Sequence, residues 1–431
     1  MPAAACGNQT ARRGVVPDMK RRRRHPAVVL ALLALFLTGC SAWDREPAGA
    51  CEGQAVTLRG TLGDDRLVGT DGPDVIDGGD GNDVLRGLGG DDLLCGGDDA
   101  DTLVGGPGDD RLDGGRDQRV TVDTDSYEWE GDTFAGGPGD DTLADPVDER
   151  HGPGVGLGSL TYAAAAGPVR VDLAAAEATG EGTDRLTGRF GSVFGSRHDD
   201  ILLGSSGADR LVGNGGTDLV VGGAGDDDLH GAGLTPGGLD RAPNRLVGGP
   251  GDDYLTGGHG DEVLRGGPGA DALYPQRGRD ASYGGPGDDA VVDYLGPDAT
   301  GQVVDGGPGS RDDVSVALLV GARDETGVTG RVDLAGGLLS ATGDHGGYRL
   351  TLRSLENTTT PAGLWTVIGT AGANEVIAGS ERHPIVVRAG AGDDTLAGSF
   401  RSDLLDGGPG IDTASPYTGR DRLVSIERQT G

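Results

Sequence analysis

Beyond residue 59 single large apolar residues recur every nine positions, each set between polar, glycine-rich stretches. From Gly60 the chain reads GTLGDDRLV, GTDGPDVID, GGDGNDVLR, GLGGDDLLC, GGDDADTLV and GGPGDDRLD, six units in unbroken register. Position eight is always aliphatic: Leu67, Ile76, Leu85, Leu94, Leu103 and Leu112. Position six is always aspartate: Asp65, Asp74, Asp83, Asp92, Asp101 and Asp110. The pattern predicts a turn over the first six residues of each unit and a short strand over the last three. Glycine permits the positive-φ and tight conformations such a turn needs, and it leaves main-chain carbonyls uncovered.

The same unit returns at 136–144, GGPGDDTLA, with Asp141 at position six. A second array starts at Gly195 and carries Asp200, Asp209, Asp218 and Asp227. After an interruption at 231–247, position six holds Asp253, Glu262, Asp271, Asp280 and Asp289. Here the pattern weakens: glutamate replaces aspartate at Glu262, and the unit of Asp280 lacks its glycines and has Ser282 at the apolar position. A final array carries Asp394, Asp403 and Asp412. Acidic position five recurs as well, in Asp64, Asp91, Asp109, Asp199, Asp226, Asp252 and Asp288, and is read as a solvated face that concentrates cations.

Composition sharpens the picture. Of 431 residues 86 are glycine and only 4% are aromatic, too few for cores built of large side chains. The net charge of −33 excludes nucleic acid as a natural partner and favours cations. Such acidity often accompanies disorder, and the unbroken period argues against that here.

Lys20 to Arg24 form a basic cluster, followed by an apolar run from Ala27 to Leu37 and then Leu-Thr-Gly-Cys at 37–40. The run is too short to span a membrane as a helix and reads as a signal peptide. Its end resembles a bacterial lipobox, which implies lipidation of Cys40 and attachment to the outer face of the cell membrane. Met19 offers an alternative start beside the basic cluster. Removal of residues 1–39 takes away seven basic residues and Asp18 and leaves a charge of −39.

The units resemble the RTX (repeats-in-toxin) nonapeptides, GGxGxDxUx with U a large apolar residue. The resemblance implies an all-β fold, a parallel β-roll or right-handed β-helix solenoid. Two units make one coil of eighteen residues, position eight points inward in two facing ladders, and multiple Ca²⁺ ions lie between stacked turns. Ca²⁺ takes six to eight oxygen ligands from carboxylates and carbonyls, which these turns supply. Same-edge pairs in the first array are then Asp65 with Asp83, Asp74 with Asp92, Asp83 with Asp101, and Asp92 with Asp110. Carboxylates stacked one layer apart repel by roughly 3–4 kcal/mol at an effective dielectric of about 20, and calcium turns that repulsion into attraction, so that binding becomes folding energy. In such a roll Cys51 and Cys95 stand nearly two and a half coils apart, about 12 Å at about 4.8 Å per layer, too far for a direct disulfide. Either the leading segment folds back along the roll and the two pair, which is the expectation in an oxidising compartment, or the thiols stay apart.

Two stretches break the arrays, 145–194 and 315–368, and each holds a short alternating strand, Val169 to Leu173 and Arg331 to Leu334. They read as two copies of one strand-rich unit. The expected plan is a signal segment at 1–39, a tether at 40–59, the first array at 60–113, and an insert with one unit and a spacer at 114–194. The second array follows at 195–314, a spacer at 315–368, the third array at 369–414 and a cap at 415–431.

No catalytic domain is legible. There is no HExxH and no GxSxG. His151, His198, His230, His259, His345 and His383 are scattered without ligand spacing. Asp123 to Glu128 begins like an EF-hand but lacks the glycine at position six and has Phe134 at position twelve. The expectation is a non-enzymatic, exported calcium-binding scaffold, adhesin or calcium reservoir. The alternative is an extracellular enzyme directed at polysaccharides or esters, with its site on the surface of the solenoid.

Overall fold

The computed structural model describes residues 50–116, 131–146, 157–233, 241–295, 301–309, 311–318, 329–343, 346–353, 356–360, 364–378, 383–416 and 419–429. The basic cluster, the apolar run, Cys40 and the acidic loop at 123–128 lie outside them. Among the described residues the secondary structure is entirely β.

The nine-residue period becomes a coil because alternate units enter alternate sheets. In one sheet the strands Arg66–Val68, Val84–Arg86 and Thr102–Val104 pair in parallel, with Leu67, Leu85 and Leu103 in register. In the other, Val75–Asp80, Leu93–Asp98 and Arg111–Arg116 pair in parallel, with Ile76, Leu94 and Leu112 in register. Strands joined within a sheet are thus two units apart, the parallel β-roll that the resemblance implied. A side-chain period of two turns position eight to one face and positions seven and nine to the other. The eighth-position side chains of both sheets meet inside, and Ile76, Leu85, Leu94, Leu103 and Leu112 are wholly buried.

The gaps between arrays do not stop the coil. Thr133–Ala135 pairs with Thr102–Val104 and sets Phe134 beside Leu103. Across 231–247, Leu229 pairs with Leu255 and Val220 with Leu246.

The two spacers share a topology. In the first, Thr183–Gly188 adds in parallel to Thr142–Asp145, Glu177–Thr179 runs antiparallel to it, and Arg170–Asp172 reverses again to meet Ile201–Leu203 in parallel. In the second, Gly346–Arg353, Leu338–Gly343 and Thr329–Asp333 repeat this order between Gln302–Asp305 and Leu364–Ile368. Chain order is inverted inside each triplet, which lets it splice into a parallel sheet without breaking it.

At the N-terminal end Ala50–Cys51 and Gln54–Ala55 form an antiparallel pair lying against the strands Val75–Asp80 and Leu93–Asp98. Cys51 and Cys95 form a disulfide with Cα atoms 6.0 Å apart. The leading segment therefore doubles back along the roll, and Glu52 reaches Arg111 one layer further on. At the other end Arg422–Val424 and Arg428–Gln429 close the two sheets.

Stacked carboxylate edges as a candidate metal site

Position six lies at the corner between turn and strand, so each sheet carries its own column of acidic side chains. The columns are joined by hydrogen bonds of one direction. The main-chain N–H of one position-six residue donates to Oδ1 of the next on the same edge: Asp65 to Asp83 at 2.7 Å, and Asp74 to Asp92, Asp83 to Asp101 and Asp92 to Asp110 at 2.8 Å. All four same-edge pairs of the first array are brought together. So are Asp200 with Asp218, Asp209 with Asp227, Asp253 with Asp271, Glu262 with Asp280, and Asp271 with Asp289, each at 2.9 Å. In the third array the N–H of Asp394 donates to Asp412 at 2.9 Å, and Asp403 donates to Asp421 at 2.8 Å.

The columns run further than the repeat pattern suggested. Asp110 continues to Asp141 and Asp227 to Asp253 at 2.9 Å, and Asp101 continues to Asp132 at 2.8 Å. Asp132, Asp184, Asp312 and Asp421 belong to them although their units lie outside the in-register arrays and keep only part of the glycine pattern. Each stands two residues before a core side chain, Phe134, Leu186, Val314 and Leu423, and that Asp-x-apolar spacing was the signal available.

Each carboxylate has a second oxygen, and its surroundings fall into two kinds. In the opening layers position two is a hydroxyl residue. The N–H of Thr70 donates to Oδ2 of Asp74 at 2.7 Å and its hydroxyl does so at 2.9 Å. Thr61 treats Asp65 in the same way, and the N–H groups of Ser196, Ser205 and Ser399 reach Asp200, Asp209 and Asp403. That N–H holds the Asp74 carboxyl below its ordinary range.

In the interior layers position two is not a hydroxyl residue, and Oδ2 of Asp83, Asp92, Asp110, Asp141, Asp227, Asp253, Asp271, Asp289, Asp394 and Asp412 is buried with no hydrogen-bond partner. Burial is the first cause that pushes Asp110, Asp253, Asp289 and Asp394 up to about 6 and Asp141, Asp227 and Asp271 up to about 7. Orphaned buried carboxylates are costly unless a cation completes them.

The surroundings fit Ca²⁺. A Cβ placed on Gly69 would meet Oδ2 of Asp74 and the carbonyl oxygen of Gly87, each at 2.7 Å. A Cβ on Gly195 would meet Oδ2 of Asp200 at 2.6 Å and the carbonyl oxygen of Gly213 at 2.8 Å. Carboxylate and carbonyl oxygens thus converge beside the first glycine of a unit, where a side chain would collide with them. Among the described residues no three Asp, Glu, His or Cys side chains form a metal-holding group. A hard cation here would draw on one or two carboxylates and on main-chain carbonyls, the donor set calcium accepts.

Position five does more than present a solvated face. Oδ1 of Asp91 accepts the N–H of Asp109 at 3.1 Å, Asp109 accepts that of Asp140 at 3.0 Å, and Asp226 accepts that of Asp252 at 2.9 Å. This exposed outer column runs opposite in sense to the inner one, so each turn is clamped from both sides. Of the histidines, His230 lies 2.8 Å from Asp228 on the outer face, away from both columns.

A family model described as the RTX calcium-binding nonapeptide repeat (4 copies) matches residues 59–94, 96–118, 129–144, 194–229, 242–273 and 386–423. The match over 129–144 includes Asp132 and Phe134. A search of curated proteins finds no match to the chain.

Proposed function

The chain carries RTX calcium-binding nonapeptide repeats, and from that premise we propose that it is an exported protein whose roll folds around Ca²⁺ and serves as a surface scaffold, adhesin or calcium reservoir, without catalytic activity. The observation that carries this reading is the interior column of buried carboxylates with unpartnered Oδ2 atoms. Without a cation they oppose folding; with one they hold successive turns together. Such a protein stays unfolded where calcium is scarce and folds after export, which agrees with the signal-like N-terminus. Cys40 is the proposed lipid attachment point, tethering the roll to the outer face of the membrane. The position-six aspartates from Asp65 to Asp412, Asp280 excepted, are the proposed carboxylate ligands, and no nucleic acid is a partner.

The enzymatic alternative has one observation in its favour. A recess of about 330 Å³ on the outer face of one sheet is lined by Arg311, Asp313, Asn357, Thr359, Glu375 and Ile377. Burial raises the Asp313 carboxyl.

The deciding experiment is far-UV circular dichroism of residues 41–431, titrated with Ca²⁺ and separately with Mg²⁺. A coil-to-β transition driven by calcium and not by magnesium is expected. A chain fully folded in chelator, or indifferent to calcium, overturns the reading.

A further inference from the structure

The two edges of the second array are not equivalent. On one edge position six is filled by Asp209, Asp227, Asp253, Asp271, Asp289 and Asp312, each N–H donating to the carboxylate that follows. On the other, Asp200 and Asp218 are followed by Asn244, Glu262, Asp280 and Gln302. We propose that this second edge is free of calcium from Asn244 to Gln302, and that side-chain groups of the protein stand where cations stand elsewhere. The proposal deepens the calcium reading and rests on it.

Gln302 carries the argument. It is wholly buried, and its position relative to Asp280 is that of the next position-six residue, since Ala281 pairs with Val303. Its Nε2 donates to Oδ2 of Asp280 at 3.1 Å, to the carbonyl oxygen of Gly278 at 3.1 Å and to Oδ1 of Asp293 at 3.3 Å. A carboxylate oxygen and a turn carbonyl are the donor set offered to a cation in the other layers. Here an amide nitrogen already satisfies them.

The neighbouring layers point the same way. Glu262 turns Oε1 to the N–H of Gly260 at 2.9 Å. A Cβ on Gly257 would therefore meet the Cγ of Glu262 at 3.1 Å, where a Cβ on Gly69 meets a carboxylate oxygen of Asp74. Asn244 accepts the N–H of Asp218 through Oδ1, which leaves its amide nitrogen as the atom a Cβ on Gly231 would meet, at 2.9 Å. The turn before Asp280 has Pro275 and Gln276 in place of the first two glycines, and Arg277 and Arg279 bring positive charge to it. Donors and arginines repel a second cation, whereas the opposite edge keeps its carboxylates.

Equilibrium dialysis of the full chain against Ca²⁺, with bound metal counted per chain, separates the two edges. Asp271→Asn is expected to lower the number of bound ions, and Asp280→Asn, on the other edge, is expected to leave it unchanged. Gln302→Glu should add one ion, because a carboxylate then faces Asp280 and the carbonyl of Gly278. Equal losses in Asp271→Asn and Asp280→Asn, or no gain in Gln302→Glu, overturn the proposal. A wild-type chain that binds no calcium at all defeats the calcium reading itself, a result distinct from a chain that binds calcium equally along both edges.

Discussion

The arrays and the spacers build the same two sheets by different means. In an array most units contribute one inward aliphatic side chain and one buried carboxylate, and stacking like on like brings acids together. In a spacer the chain reverses twice, so hydrogen bonding is satisfied by antiparallel neighbours close in sequence. Among the described residues the spacers also bury aromatic side chains, whereas the three arrays bury none. Tyr162 and Phe190 are buried in the first, with Phe190 edge-on to Phe134 at 5.4 Å, and Trp365 is buried at the end of the second. Each spacer has an Arg–Asp pair on its first antiparallel strand, Arg170 with Asp172 at 3.0 Å and Arg331 with Asp333 at 2.6 Å. One architecture thus alternates segments built on stacked buried carboxylates with segments that supply their own counter-charge.

The largest effect expected from this contrast is in hydrogen exchange. Transfer to chelator should abolish protection of the array strands Val75–Asp80 and Leu93–Asp98, a change of roughly a hundredfold or more in exchange rate given opening energies of a few kcal/mol. The spacer strands Arg170–Asp172 and Thr183–Gly188 should lose less. Mass-spectrometric exchange in calcium and in chelator measures both, and equal losses would erase the distinction.

Single substitutions sharpen it further. Asp92 accepts the N–H of Asp74 and presents an orphaned Oδ2 to the interior. Asp92→Asn should cost about 1–3 kcal/mol in saturating calcium, as read from denaturant midpoints, and should cost less in chelator because a buried charge is gone. Asp172→Asn breaks a half-exposed ion pair and should cost under about 1 kcal/mol, with or without calcium.

The smallest effect, and the most specific, is in pH. Burial raises the interior array carboxyls Asp110, to about 6, and Asp227 and Asp271, to about 7. A raised folded-state value means that ionisation opposes folding. In chelator the array is therefore most stable near its acid end and loses stability as pH rises from about 4 through about 7. With calcium present the slope reverses over the same window, because the ion requires ionised ligands. The ion pair of the second spacer behaves oppositely: the Arg331 guanidinium holds Asp333 below the ordinary value, so that contribution is lost as pH falls below about 4. Thermal midpoints across that range, with and without calcium, check both signs.

Much of this was legible in the chain. The nine-residue spacing marked the short strands, the apolar position eight and the acidic position six, and the resemblance to the RTX nonapeptides implied the two-unit coil and the first-array pairs. Asp132 and Asp184 escaped because their units stand outside the in-register arrays, and their stacking partners lie 31 and 43 residues away along the chain. Serine or threonine at position two was visible in the opening units, yet its role depends on how the turn folds back on its own aspartate.

Local period, then, determined where each turn, strand, core side chain and acid falls, since each is a property of one unit repeated, and the family resemblance of that unit implied the coil. The tertiary structure decided what no single unit contains: that Cys51 returns to Cys95, that the spacers splice in by double reversal, and which carboxylate oxygens are left without a protein donor. Those outcomes depend on what stacks on what. Stacking across loops of unequal length is settled by packing and hydrogen-bond satisfaction in three dimensions rather than by sequence distance.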